Sequence, residues 1–150
     1  MSRAERLQVG SILVKQDRII SMSWNGTPAG WDNCCEDKVY MDGDAGGWLS
    51  LEEMESQWPY SDKKGRYALK TKPEVLHSES NCISKLAKSS ESGIDSTMFV
   101  THAPCLDCAK LIFQSGISAV YYKIKYGSTD GILFLRKCGV DINQYIDGRQ

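Results

Sequence analysis

Apolar and polar positions alternate from the start of the chain. Val9-Gly-Ser-Ile-Leu-Val14 and Arg18-Ile-Ile-Ser-Met-Ser23 are strand-like runs joined by the polar Lys15-Gln16-Asp17, the pattern of a β-hairpin. The alternation ends at Trp24-Asn-Gly-Thr-Pro-Ala-Gly30, where turn-forming residues crowd together. Residues 31–74 follow neither the helical nor the strand period and are expected to form an irregular insertion. Within it, Ser50 ahead of Leu-Glu-Glu-Met-Glu55 predicts a short helix, with a serine cap and acid in the first turn. Its many aromatics, among them Trp31, Tyr40, Trp48, Trp58, Tyr60 and Tyr67, point to an excursion packed over the surface. From Pro73 a regular order sets in. Helices are expected over His77–Ser89, Cys105–Ser115 and Gly131–Cys138, with strands over Thr97–Thr101 and Ala119–Tyr122 and a short apolar run at Val140–Ile142. Strands alternating with helices imply parallel βαβ units. With the opening hairpin added, the expected fold is α/β, a mixed sheet with helices on its faces.

Composition narrows the function. A chain of 150 residues fits a single domain spanning 1–150. Its 18 Lys+Arg against 19 Asp+Glu argue against a nucleic-acid partner, which a basic face would have to neutralise. No apolar stretch approaches the roughly 20 residues of a membrane span, and Met1–Leu7 does not read as a signal peptide. A soluble, cytoplasmic protein is therefore expected, in which six cysteines are better read as thiols or metal ligands than as a disulfide framework. With only two histidines, His77 and His102, any metal site must lean on cysteine.

Two segments carry the chemistry, His77-Ser78-Glu79 and Pro104-Cys105-Leu106-Asp107-Cys108, and each opens a predicted helix. The Cys105–Cys108 spacing sets both sulfurs on one side of a first turn. The positive end of the helix there favours thiolate, the form zinc binds. His77 as a third ligand would leave one position open for water, the ligand count of a catalytic zinc. Glu79 stands about 200° round a regular helix from His77, so the two converge only near a helix end, where the sequence puts them. A glutamate beside an activated water serves as proton shuttle. Two plainer readings stay open: a structural zinc with Cys82 or His102 as fourth ligand, and a redox Cys-x-x-Cys pair. The joint pattern, H-x-E on one helix and P-C-x-x-C on the next with a strand between, is the signature of zinc-dependent nucleobase deaminases.

With these residues the chain resembles the deoxycytidylate (dCMP) deaminases of the cytidine deaminase superfamily, phage and viral members especially. Val9-Gly10, Trp24-Asn-Gly-Thr-Pro28, His77-Ser-Glu-Ser-Asn81, Ala103-Pro-Cys-Leu-Asp-Cys-Ala-Lys110 and Lys125-Tyr126 carry the resemblance. It implies a three-layer α/β/α cytidine deaminase-like fold with a mixed five-stranded sheet. It also implies hydrolysis of dCMP to dUMP and ammonia, supplying dUMP for dTMP synthesis. One catalytic Zn2+ per chain would be held by His77, Cys105 and Cys108, with Glu79 as the catalytic residue. Asn25, Tyr126, Ala103 and Arg6 would bind substrate: Asn25 at the sugar, Tyr126 against the base, Arg6 at the 5′-phosphate. Asn81 would hold the active-site loop. Family members are commonly homohexamers, activated by dCTP with Mg2+ and inhibited by dTTP. Asn25, Gly26 and Pro28 are the corresponding allosteric candidates.

The chain departs from the family in four places. Ser78 replaces the usual alanine, and Trp24 the more frequent tyrosine. Only a few residues precede Val9 where relatives begin with a helix, so either the chain starts short or something else covers that face of the sheet. Cys34-Cys35 look like part of a second, structural zinc site but have no histidine near them. The nearest rival activity is that of a tRNA adenosine deaminase, and the rival of another class is a non-catalytic zinc-stapled module.

Overall fold

In the computed structural model, residues 1–43 and 48–146 are described. Strands β1 (Gly10–Lys15) and β2 (Arg18–Trp24) form the expected hairpin. Its two-residue loop, Gln16-Asp17, has both φ angles positive, 50° and 57°, as a tight turn matched to strand twist requires. The register shifts between Leu13 and Val14. Next come β3 (Glu36–Tyr40), α1 (Leu51–Gln57), β4 (Tyr60–Asp62) and β5 (Gly65–Thr71). The chain continues through α2 (Ser78–Leu86), β6 (Thr97–His102), α3 (Leu106–Gln114), β7 (Ala119–Ile124), α4 (Asp130–Lys137) and β8 (Asp141–Gln144).

The main sheet has the order β2-β1-β6-β7-β8. β1 runs antiparallel to both its neighbours, and β6, β7 and β8 are parallel. The architecture is the three-layer α/β/α class with a mixed five-stranded sheet, and a smaller antiparallel sheet is added to it. Strand positions that alternate by two send Leu13, Met98, Val100, Val120, Tyr122 and Ile142 into one core. There they meet Cys82 and Leu86 of α2, Ala109 and Ile112 of α3, and Ile132 and Leu135 of α4. The intervening positions face the other way and form a cross-strand row, Met22, Ile12, Phe99 and Tyr121. Phe99 and Tyr121 stack at 5.3 Å, and the row borders a groove of about 430 Å³. On this face Met22 keeps 55% and Phe99 40% of its surface exposed. None of the described helices is long and apolar enough to cross a membrane.

The insertion is where the structure differs most from the reading of the sequence. It is not irregular: β3, β5 and β4 pair as a three-stranded antiparallel sheet. Its strands escape a search for apolar alternation because their outward residues are charged and little of the sheet is buried. A surface ladder holds it instead. Tyr67 lies opposite Tyr40 on one side and Tyr60 on the other, with ring centres 5.6 and 5.5 Å apart. Lys38 sits 4.3 Å over the Tyr67 ring and bonds Asp62 at 2.7 Å. The tyrosines are packed as expected, whereas Trp31 and Trp48 are exposed. The short helix forms as expected, with Ser50 and Glu53 closing a capping box.

Candidate active site

Two helix starts meet at the C-terminal end of β6. His77 is the N-cap of α2 and Cys105 the N-cap of α3, with Glu79 and Cys108 in the respective first turns. Three contacts fix the approach of α2. The backbone of Gly26 pairs with that of Leu76 in both directions, 3.1 and 2.9 Å. Asn81 Nδ2 donates to the Trp24 carbonyl at 3.1 Å, the loop-holding position expected for it, and Ser21 Oγ donates to the Cys82 carbonyl at 2.8 Å. On the other side, α4 closes against the Pro104-Cys105 backbone at Gly131, where a Cβ would collide with the Pro104 carbonyl oxygen. Glycine is required there for the approach, not for its φ.

His77 Nδ1 lies 3.6 Å from Cys105 Sγ and 3.4 Å from Cys108 Sγ. All three donor atoms fall within 4.8 Å of one another. A tetrahedral zinc, with Zn–S about 2.3 Å and Zn–N about 2.0–2.1 Å, sets nitrogen and sulfur about 3.6 Å apart. The residues therefore fit a single zinc ion. Among the described residues no fourth protein ligand joins them. Cys82 is buried against Ser21 at 3.3 Å, and the His102 ring bonds Thr101 Oγ1 at 3.1 Å. Three protein ligands leave the open position of a catalytic site.

The electrostatics agree with a thiolate site. Bonds from Cys108 and His77 hold the Cys105 thiol down to about 4. The same bond to Cys105, with burial, pushes the Cys108 thiol up. The bond to Cys105 raises His77. Burial raises Glu79, which is 4% exposed. A carboxyl held above its usual range is suited to taking and returning a proton.

One cleft is lined by Arg6, Asn25, His77, Glu79, Ala103, Cys105 and Tyr126. Gly26 and Pro28 are not among its lining residues. Asn25 proves to be heavily engaged within the protein. Its Oδ1 accepts from Ser2 Oγ at 2.7 Å and Val9 N at 2.9 Å, and its Nδ2 donates to the Leu7 carbonyl at 2.7 Å. One N–H of the carboxamide remains. Arg6 rests its Nη1 on Thr71 Oγ1 at 3.4 Å, and its backbone is tied to the Glu36 carboxylate. Tyr126 stands edge-on to His102, 6.4 Å between ring centres. The sequence reading missed Thr71, Val75 and His102 as cleft residues. Thr71 comes from β5 of the unforeseen small sheet, where no apolar alternation marks a strand in the sequence. Cys35 packs with Ala4 and Val75 in a small core of its own while Cys34 is exposed, and neither belongs to a metal-ligand cluster of the described residues.

Residues 1–124 match the family described as "Cytidine and deoxycytidylate deaminase zinc-binding region". The deoxycytidylate deaminase of Enterobacteria phage T4 is 31% identical over 90% of this chain and 77% of its own length. The dCMP deaminase of cyanophage S-TIM5, solved in complex with dCMP and dUMP, superposes with a TM-score of 0.72 at 37% identity. That match covers 96% of this chain and 85% of the phage protein. A diaminohydroxyphosphoribosylaminopyrimidine deaminase/reductase of Thermotoga maritima shares the fold, with a TM-score of 0.54 at 21% identity over 91% of this chain and 29% of its own.

Proposed function

The chain belongs to the zinc-binding cytidine and deoxycytidylate deaminase family, and from that premise we propose that it hydrolyses dCMP to dUMP and ammonia. The observation that carries the reading is the His77–Cys105–Cys108 triangle, with N–S separations matching tetrahedral zinc, beside the buried carboxylate of Glu79. His77, Cys105 and Cys108 would hold a zinc ion there, whose Lewis acidity would make a water nucleophilic at neutral pH. Glu79 takes a proton from that water as its oxygen adds to C4 of cytosine. It delivers that proton to N3, then takes the proton of the new C4 hydroxyl and passes it to the amino group as the C4–N4 bond breaks and the C4 carbonyl forms. The products are the 4-oxo base and ammonia. Tyr126 lies against the base, Ala103 lines the pocket, the remaining N–H of Asn25 meets the sugar, and Arg6 with its cation at the rim meets the 5′-phosphate.

The finer reading follows the phage relatives. The product dUMP feeds dTMP synthesis, dCTP with Mg2+ activates the enzyme and dTTP inhibits it, through the Asn25-Gly26-Thr27-Pro28 turn. Support for that route is the Gly26–Leu76 backbone pairing, one residue from His77, through which a nucleotide at the turn would press on the metal site. A homohexamer is the assembly this regulation would act on.

Ammonia release from the zinc-loaded protein tests the reading, with dCMP, CMP, deoxycytidine and a tRNA anticodon stem-loop as substrates, with and without dCTP–Mg2+. Turnover of dCMP, raised by dCTP, is expected. Activity on the RNA alone would move the chain to the tRNA-editing deaminases. The variant Glu79→Gln is expected to lower turnover about 10²–10⁴-fold with one zinc per chain retained. Loss of zinc and fold together would make Glu79 a structural residue.

A further inference from the structure

Ser78 is the first residue of α2 and is wholly buried, 0% exposed. Its hydroxyl donates to Oε2 of Glu79 at 2.9 Å. Adjacent side chains on a helix diverge by about 100° and do not ordinarily face each other, so this bond forms only because the Glu79 carboxylate turns back toward the helix start. The backbone beneath it is already fixed by the Gly26–Leu76 pairing and by Asn81 on the Trp24 carbonyl. What remains to be set is the glutamate side chain, with three rotatable bonds, whose carboxylate meets its own backbone N–H as well as the Ser78 hydroxyl. A serine at this site gains nothing from solvent and does not cap the helix, whose N-cap His77 makes no side-chain cap bond. Its hydroxyl is spent on one carboxylate oxygen.

We propose that Ser78 is a positioning residue, whose hydroxyl holds one oxygen of Glu79 and thereby turns the other toward the space between His77, Cys105 and Cys108. The proposal rests on the deaminase reading for its consequence in turnover, but not for the carboxylate geometry itself. A shuttle must present the same oxygen to the water and then to the substrate, and a carboxylate free to rotate presents it only part of the time. The bond is charge-assisted when the carboxylate is ionised, and Ser78 itself is buried at the floor of the cleft.

The test is Ser78→Ala, which removes one oxygen atom and adds no bulk. For dCMP, kcat is expected to fall about tenfold, with KM and the zinc content of one ion per chain unchanged. In a crystal structure of the metal-free variant the Glu79 carboxylate is expected to leave its single position or to split between rotamers. An unchanged kcat in the active enzyme overturns the proposal, as does a KM that rises with the loss, since that would make Ser78 a substrate contact. A carboxylate that keeps its original position overturns it whatever the activity. If the unaltered protein does not turn over dCMP, the deaminase reading fails, and the carboxylate position in the two crystal structures still decides whether Ser78 orients Glu79.

Discussion

Tyr126 stands at the mouth of the cleft with 44% of its surface exposed. So open a ring contributes little to the core. Against a bound base the same ring offers a stacking face, worth about 1–3 kcal/mol where such contacts have been truncated to alanine. Tyr126→Ala is accordingly expected to lower kcat/KM for dCMP roughly five- to a hundredfold, with little change in melting temperature. Parallel kinetics and thermal melts check this, and equal losses in both would assign the ring to the fold. At this scale the sequence was informative about identity and poor on partners. His77, Glu79, Cys105 and Cys108 were legible because metal and proton chemistry restrict both residue type and spacing. Asn25 was legible as a residue of the site, yet nothing local announces that its carboxamide is bonded to Ser2, Leu7 and Val9. Those partners lie 16 to 23 positions away along an arm with no regular structure. Gly131 was read as an ordinary helix start, and only the approach of α4 to the Pro104 carbonyl shows why a side chain is excluded.

Among the elements, those of the main sheet were readable because each hides one face. Alternation marks β1, β6 and β7, and glycine stops mark α3 and α4. The ends moved by three residues at most: α2 stops at Leu86, where the chain tightens into turns through Lys88 and Ser89. The small sheet was not readable because its stability lies in polar and aromatic pairs on the surface. Its pH response should follow from those pairs. Lys38 holds the Asp62 carboxyl down to about 2, and Asp62 holds the Lys38 ammonium up to about 12. Asp62 therefore favours the folded sheet above its unfolded value near 4, a contribution lost as pH falls toward 2. The Lys38 contribution is complete below about 10.4 and lost as pH rises through about 12. The protection factors of the Tyr40 and Tyr67 amides, corrected for the intrinsic exchange rate at each pH, should fall from pH 5 to pH 2 in the unaltered chain. In Asp62→Asn they should start lower and change less. Identical profiles would show that this pair does not hold the sheet.

For the whole molecule, the candidate metal site is a joint between two helices. Its ligands come from α2 and α3, and β6 lies between these helices in the chain. An ion that binds only when both helix starts are in place stabilises the folded state by mass action. Removing zinc with a chelator is therefore expected to lower the melting temperature by about 5 °C or more, and added Zn2+ should restore it. A melt indifferent to the chelator would mean that α2 and α3 hold their places without the ion.

β1 occupies an unusual place in this order, with Ser11 opposite Ser23 on one side and Val100 on the other. The first partner follows almost at once, but the second is encoded far downstream. At roughly 5–20 residues per second on a ribosome, the wait between them lasts about 4–15 s. Throughout that interval the hairpin emerges with one edge unsatisfied, a template on which another nascent chain can pair. The β1 edge is open only during synthesis and is paired with β6 in the finished protein, so crowded translation at high expression is where chains should associate through it.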